Sequence, residues 1–348
     1  MRAVVAARVG GDDPLSNLEI RDVPEPALQS GWALVRVTAA ALNHHDLWTL
    51  RGISSAPIEA GQVLGCDAAG VVEQYGDGTD IASWPPLGTR VLVYPVVVCG
   101  HCSGCLSDES DACRSVRLLS EPPLGGTLAE RLVIPASNLI PLPDSVDDEK
   151  AACLPTAYLT AYRMLFGKGR LAPGMSVLVH GAGGGVASAC IVLARLGGCT
   201  VYATSRDEAK RQFALDLGAE AAFEPVRQSA RSIIEATGGR GVDAVMETVG
   251  EPTWELSLVA VRPGGIVVVS GATGGANPAA QLNRVFFRRV TIAGTSMGSR
   301  GELRRLVELC ATGALQPLVS GRFSLDAAAE AFSLMARGEV RGKLIVTP

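Results

Sequence analysis

The chain has 348 residues, 47% hydrophobic and 19% charged, with 31 basic and 35 acidic side chains and a net charge of −4. At roughly 150 residues per domain this is material for about two domains with sizeable cores, which excludes a disordered chain. The slightly acidic balance excludes a nucleic-acid footprint over the whole protein, and the longest apolar run, residues 91–98, is broken by Pro95 and too short to span a bilayer. The first residues reach Asp12 without an apolar segment, so no signal peptide is expected. These features predict a soluble cytoplasmic protein with no nucleic-acid or membrane partner.

Up to about residue 150 the chain reads as β-rich. Short strand-like runs at 33–40, 70–74 and 90–93 are punctuated by Gly and Pro. Beyond that point strands and helices alternate. A strand at 177–180 is followed by a glycine-rich turn and a helix at 187–196. A second strand at 200–204 leads to an amphipathic helix at 207–217, closed by Gly218. Further strands are expected at 242–247, 265–270 and 290–294. This spacing predicts an α/β class with a doubly wound parallel sheet. Residues 298–348 add two helices and a closing strand at 343–347.

Nine cysteines are present, and Cys99, Cys102, Cys105 and Cys113 fall within fifteen residues. Four thiolates so spaced surround one tetrahedral zinc and close every coordination position, so the site is structural. An iron–sulfur run would have a shorter final spacing and a proline after the last cysteine. Packing cysteines would not cluster in so polar a loop, which holds His101, Ser103, Asp108, Glu109 and Asp111. Cys66, Cys153, Cys190, Cys199 and Cys310 lie in apolar stretches, the pattern of reduced thiols.

The turn after the 177–180 strand presents Ala182, Gly183, Gly184, Gly185 and Val186. A dinucleotide needs a tight turn, a backbone that lets the pyrophosphate approach, and a helix N-terminus aimed at the anion. The three glycines serve the first two needs, and a helix starting near Val186 serves the third. The second strand ends in Ser205 and Arg206, with Lys210 one helical turn on. An NAD site usually has a carboxylate here, so its absence beside a cation predicts NADP(H).

Asn43-His44-His45-Asp46, Gly65-Cys66-Asp67-Ala68-Ala69-Gly70, Gly88-Thr89-Arg90-Val91, the cysteine lobe and Leu159-Thr160-Ala161-Tyr162 occur together in this order. In these pieces the chain resembles the medium-chain dehydrogenase/reductase superfamily over essentially its whole length. The resemblance implies a GroES-like β-rich catalytic domain of residues 1–157 and 298–348, with a Rossmann cofactor domain of residues 158–297 inserted. It also implies a small-molecule substrate and a homodimer or homotetramer pairing through an edge strand at 289–295.

Where zinc alcohol dehydrogenases of the superfamily hold a catalytic metal, this chain has Asn43, the triplet Gly65-Cys66-Asp67, and Thr156. A rearranged set would draw on Cys66, Asp67, His44 or His45, and Cys153. The superfamily's zinc-free quinone oxidoreductases and enoyl reductases resemble the chain at Asn43 and in the glycine turn. The expectation is therefore an NADPH-dependent reductase of a quinone, enone or other activated carbonyl, with one structural zinc per chain. The alternatives are a zinc-dependent alcohol dehydrogenase with atypical ligands and a non-enzymatic NADPH-binding protein. By the same resemblance Asn43, His44, His45 and Trp48 line the reactive site, where His45 donates a proton or binds the nicotinamide ribose. Thr160 contacts the nicotinamide, and the loop Gly271-Ala272-Thr273 holds its carboxamide. Asp46 is expected to orient backbone, and His180 to pack at a strand end.

Overall fold

In a computed structural model, which describes residues 1–53, 57–106 and 113–348, the chain forms two compact units. One comprises Met1–Thr156 with Ser299–Pro348, the other Ala157–Gly298. The first unit opens with β1 (Arg2–Ala6), β2 (Leu18–Asp22), β3 (Trp32–Ala41), α1 (His44–Leu50), β4 (Gln62–Val63), β5 (Asp67–Tyr75) and β6 (Arg90–Val93). It continues with β7 (Val96–Val97), α2 (Ser103–Leu106), β8 (Arg117–Leu118), β9 (Arg131–Pro135), β10 (Leu139–Pro141) and α3 (Asp148–Ala152). The second unit holds α4 (Leu159–Tyr162), β11 (Ser176–His180), α5 (Gly185–Leu196), β12 (Thr200–Thr204), α6 (Glu208–Asp216) and β13 (Ala221–Phe223). It ends with α7 (Ser229–Ala236), β14 (Val242–Glu247), α8 (Glu251–Ala260), β15 (Val261–Val269), α9 (Leu282–Arg288) and β16 (Thr291–Gly294). The chain then returns to the first unit with α10 (Arg300–Ala311), β17 (Val319–Ser324), α11 (Ala328–Ala336) and β18 (Lys343–Thr347).

The second unit is a parallel sheet in the order β13-β12-β11-β14-β15-β16. Its strand order reverses between β11 and β14, the place where such sheets bind ligands beyond their strand C-termini. Every residue of β11 is buried, as expected for a strand covered on both faces. The core is built from Leu178, Ile233, Val245, Leu258 and Val267, with Trp254 beside them. β15 starts earlier than the expected 265, because Val261 already pairs with Val242 ahead of Pro263 and the following glycines.

The first unit centres on β3, which pairs with β5, β9 and β18 in one seven-stranded sheet. Leu50, Leu64, Leu128, Ile134 and Phe332 are fully buried in its core. The strand β17 was not expected from the sequence. Its residues VSGRFS include Gly321 and never become fully buried, so periodicity gives little signal; parallel pairing with β18 makes it a strand. The register of the sheet decides the chemistry. Ala41 lies opposite Asp67 on β5 and opposite Ile345 on β18, so residues 43, 67 and 343 meet at one end of three strands.

Candidate functional site

The cysteine lobe is assembled by the ends of a short hairpin and α2. The Sγ atoms of Cys102 and Cys105 are 3.5 Å apart, those of Cys99 and Cys113 3.7 Å, and those of Cys99 and Cys105 3.9 Å. All four sulfurs lie within 4.8 Å of one another, and none is in a disulfide. Tetrahedral zinc with bonds of about 2.3 Å sets its sulfurs about 3.8 Å apart, so this thiol set fits that ion. Backbone N–H groups of Cys99 and Ser115 point at the Cys113 sulfur, at 3.5 and 3.4 Å, and lower its pKa. Asp108, Glu109 and Asp111 lie outside the described residues.

In the parallel unit, Gly181 and Gly183 adopt φ of 78° and 101°, the left-handed region that disfavours any side chain. A Cβ on Gly183 would also lie 2.7 Å from the Lys210 stem, which packs over the turn. The turn is tied to β12 by the N–H groups of Gly181 and Ala182, both donating to the Thr204 carbonyl. Gly184 caps α5, whose first turn, including Gly185 and Val186, leaves N–H groups with no acceptor inside the helix. A bare, glycine-lined turn at a helix N-terminus fits a dinucleotide pyrophosphate. Ser205 is buried at the end of β12, and its hydroxyl accepts from Asp207 N–H. Arg206 is exposed and Lys210 half-buried. The sequence reading missed Arg211, whose guanidinium donates to the carbonyls of Ser205 and Arg206 and holds that corner.

The loop Gly271-Ala272-Thr273 lies on the segment after β15, where Thr273 donates to the Thr248 carbonyl. Thr248 in turn donates to the carbonyl of His180, so the ends of β11, β14 and β15 share one corner. Thr160 is buried on α4. His180 is fully buried, flanked by Thr204 Oγ1 at 2.7 Å and Ser257 Oγ at 3.0 Å. Burial lowers its pKa, with Glu247 opposing. It packs, as expected.

In the other unit, the strand ends gather a buried polar cluster. The Lys343 ammonium donates to the carbonyl of Leu42, to Asn43 Oδ1 and, at 3.3 Å, to Asp67 Oδ2. Asn43 Nδ2 donates to Asp67 Oδ2 at 2.9 Å and to the Ala41 carbonyl. The Thr156 hydroxyl donates to Asp67 Oδ1. Asp67 is 0% and Lys343 3% exposed, so this is an ion pair inside the protein. Burial still holds the Asp67 pKa above its usual value, although Lys343, Thr156 and Asn43 lower it. Both ends of the Asn43 amide are engaged by buried neighbours, so Asn43 ties this cluster together.

Around this cluster, Asp46 accepts from the backbone N–H of Asn43 at 2.8 Å and of Gly65 at 3.0 Å, the orienting role expected of it. Full burial pushes its pKa to about 6, against the opposing charge of His45. His44 is exposed and Trp48 half-buried. His45 Nδ1 sits 3.4 Å from Cys66 Sγ, and Nε2 sits 3.1 Å from Glu121 Oε1. Burial pushes the Cys66 thiol well above its ordinary range, with Asp46, Asp67 and Glu121 adding to it.

Asn43 and Thr156 replace ligand side chains, and Asp67 is committed to Lys343. His45, Asp46 and Cys66 place donor atoms within 4.8 Å of one another. Both Asp46 oxygens already accept from backbone N–H groups, and Cys66 is buried. Cys153 donates to the carbonyl of Glu149, and burial raises its pKa to about 12. Sequence reasoning missed Lys343 and Glu121. Lys343 had a signal, a lone charge opening the apolar strand Lys343–Thr347; Glu121 had none.

Residues 29–144 match the alcohol dehydrogenase GroES-like domain family, and residues 185–312 the zinc-binding dehydrogenase family. A solved structure described as an NAD-dependent alcohol dehydrogenase is 35% identical, with a TM-score of 0.92 and each chain covered 100%. The crotonyl-CoA carboxylase/reductase of Cereibacter sphaeroides is 27% identical over 89% of this chain and 79% of its own. One phenolphthiocerol/phthiocerol polyketide synthase polypeptide of Mycobacterium tuberculosis is 29% identical over 99% of this chain, which spans 15% of that protein's length. The chain belongs to the medium-chain dehydrogenase/reductase superfamily, a class of NAD(P)-dependent oxidoreductases.

Proposed function

We propose that the protein is an NADPH-dependent reductase of quinones, enones or related activated carbonyls, with one structural zinc per chain and no catalytic metal. The observation that carries this reading is the saturated Asn43–Asp67–Lys343–Thr156 cluster, standing where a catalytic metal's ligands would be. Simple alcohol oxidation passes through an alkoxide, which a Lewis acid stabilises; the enolate or quinol formed from a conjugated acceptor spreads its charge. The name of the Cereibacter relative, a crotonyl-CoA reductase, is in keeping with this. NADPH would be held by Gly183, Gly184 and the N-terminus of α5, with Thr160 and the Gly271–Thr273 loop toward the nicotinamide, and would supply hydride. Arg206 and Lys210 would face the ribose phosphate. The 35%-identical structure is described as NAD-dependent; for this chain NADPH is favoured by the absence of a carboxylate at Ser205 and Arg206.

In the first unit His45 is taken as the proton donor, since its imidazole is part-exposed and the carboxylates around it favour its charged form. Cys99, Cys102, Cys105 and Cys113 would hold the zinc. Assembly is read as dimeric or tetrameric through β16, the edge strand of its sheet, whose Ile292 is exposed alongside Phe286 and Phe287 of α9. Among the described residues no helix is long and apolar enough to cross a membrane, and we place the protein in the cytoplasm. The direct test is turnover with NADPH against a panel of quinones, enones and primary alcohols. Reduction of the conjugated acceptors without alcohol oxidation is expected, whereas alcohol oxidation that a chelator abolishes would favour the metal-dependent reading.

A further inference from the structure

The loop that follows β8 brings two groups to one histidine. Its backbone is fixed: Leu119 N–H donates to the Pro95 carbonyl, Glu121 N–H to Leu118, and Leu124 N–H to the carbonyl of Glu121 at 2.8 Å. Gln62 adds a side-chain bond to the Leu124 carbonyl. Glu121 is thereby aimed at His45 Nε2, 3.1 Å away, with the two side chains 12% and 14% exposed. The Leu119 carbonyl of the same loop accepts from the Cys66 thiol, which lies against the other ring nitrogen.

An ionised carboxylate only accepts hydrogen bonds, so the pairing puts a proton on Nε2. The opposite contact is weak, because sulfur is a poor acceptor and the separation is 3.4 Å. The ring thus has one end held by a carboxylate and one end in a weak contact with sulfur, and the hydrogen bond at one nitrogen decides what the other can do. We propose that Glu121 is a positioning residue for His45: it holds the Nε2 proton and leaves Nδ1 as the nitrogen that protonates the reduced substrate. This rests on the reductase reading given above. An acceptor that had taken hydride from bound NADPH would carry two more electrons and a negative charge. The Nδ1–H bond of the imidazolium then breaks, its electron pair staying on nitrogen, while an O–H or C–H bond forms on the substrate. The ring is left neutral with Nε2–H still on Glu121, and solvent returns the proton.

The charges facing His45 support this arrangement. They are Glu121 from the loop, Asp46 on its own helix and Asp67 at the start of β5, with the neutral Cys66 thiol on the fourth side. Burial alone would lower the imidazole pKa; Glu121, Asp46 and Asp67 outweigh it and hold it above 6.5.

The test is a ring 15N NMR titration of the zinc-loaded full chain, which has four histidines, with His45 assigned from a His45→Gln variant. In the unmodified protein the neutral ring is expected as the Nε2–H tautomer; a predominant Nδ1–H tautomer overturns the proposal with no Glu121 variant needed. Glu121→Gln should lower the His45 midpoint by about one pH unit or more, the scale of losing an adjacent opposite charge. Glu121→Asp should restore part of the shift. An unmoved midpoint in Glu121→Gln overturns the pairing. The pH limb of kcat should move with the NMR midpoint. If the midpoint moves and the limb stays, the pairing stands and the donor role assigned to His45 is overturned.

Discussion

The two units treat a histidine in opposite ways. His180 in the parallel unit lies between two hydroxyls, and burial keeps it neutral. His45 in the other unit sits among three carboxylates, which together outweigh burial and favour its charged form. The contrast extends to the surroundings. The parallel unit presents backbone N–H groups and a bare turn to an anion, an arrangement suited to binding. The strand-end cluster of the other unit pairs its charges internally, with the His45 ring nearby among carboxylates.

The sharpest way to break the contrast is to remove the charge balance. Lys343→Met leaves the Asp67 carboxylate buried without its cation, and removing one partner of a buried pair costs roughly 3–5 kcal/mol. Denaturant unfolding should show a loss of that order, and a loss below about 1 kcal/mol would mean that the cluster does not depend on the ammonium. In the binding unit the corresponding change is smaller. On the proposed NADPH reading, Arg206→Ala would remove one charge-assisted contact of roughly 1.5–3 kcal/mol, and the KM for NADPH should rise about ten- to hundredfold. The KM for NADH should stay nearly constant. Ser205→Asp should reverse the preference by placing a negative charge where the phosphate must sit, and equal kcat/KM for both cofactors in the unmodified protein would return Arg206 to an ordinary surface charge.

The smallest effect lies in the pH dependence of stability, where the two histidines carry opposite signs. The raised His45 pKa contributes stability that is fully present below pH 6.5 and is lost as pH rises through its folded value. The lowered His180 pKa contributes stability present above pH 6.5 and lost as pH falls through its folded value. Denaturation curves of His45→Gln and His180→Gln should therefore diverge from the parent protein on opposite sides of pH 6.5. Divergence on the same side would show that the surroundings of one ring are misread.

What the amino-acid sequence discloses follows the same division. Local features carried the binding unit: the strand at 200–204, the glycine turn and Gly218 closing α6 each depend on neighbours a few residues away. The clustering of the four cysteines was legible for the same reason, since they lie within fifteen residues. The strand-end cluster was not, because Asn43, Asp67 and Lys343 meet only through the registers of β3 with β5 and β18. Asn43 carried a family position into the reading, and only the pairing shows its amide consumed by Lys343 and Asp67. Glu121 reaches His45 across 76 residues of chain from a loop without a periodic signature.

The central claim, reduction without a catalytic metal, is tested most directly by counting zinc in the purified full chain and in a Cys102→Ser/Cys105→Ser variant. One tightly held zinc per chain is expected in the parent and none in the variant, with NADPH binding partly retained. Two zincs in the parent, or one persisting after the lobe is dismantled, would place a metal in the His45–Cys66 region and contradict the account.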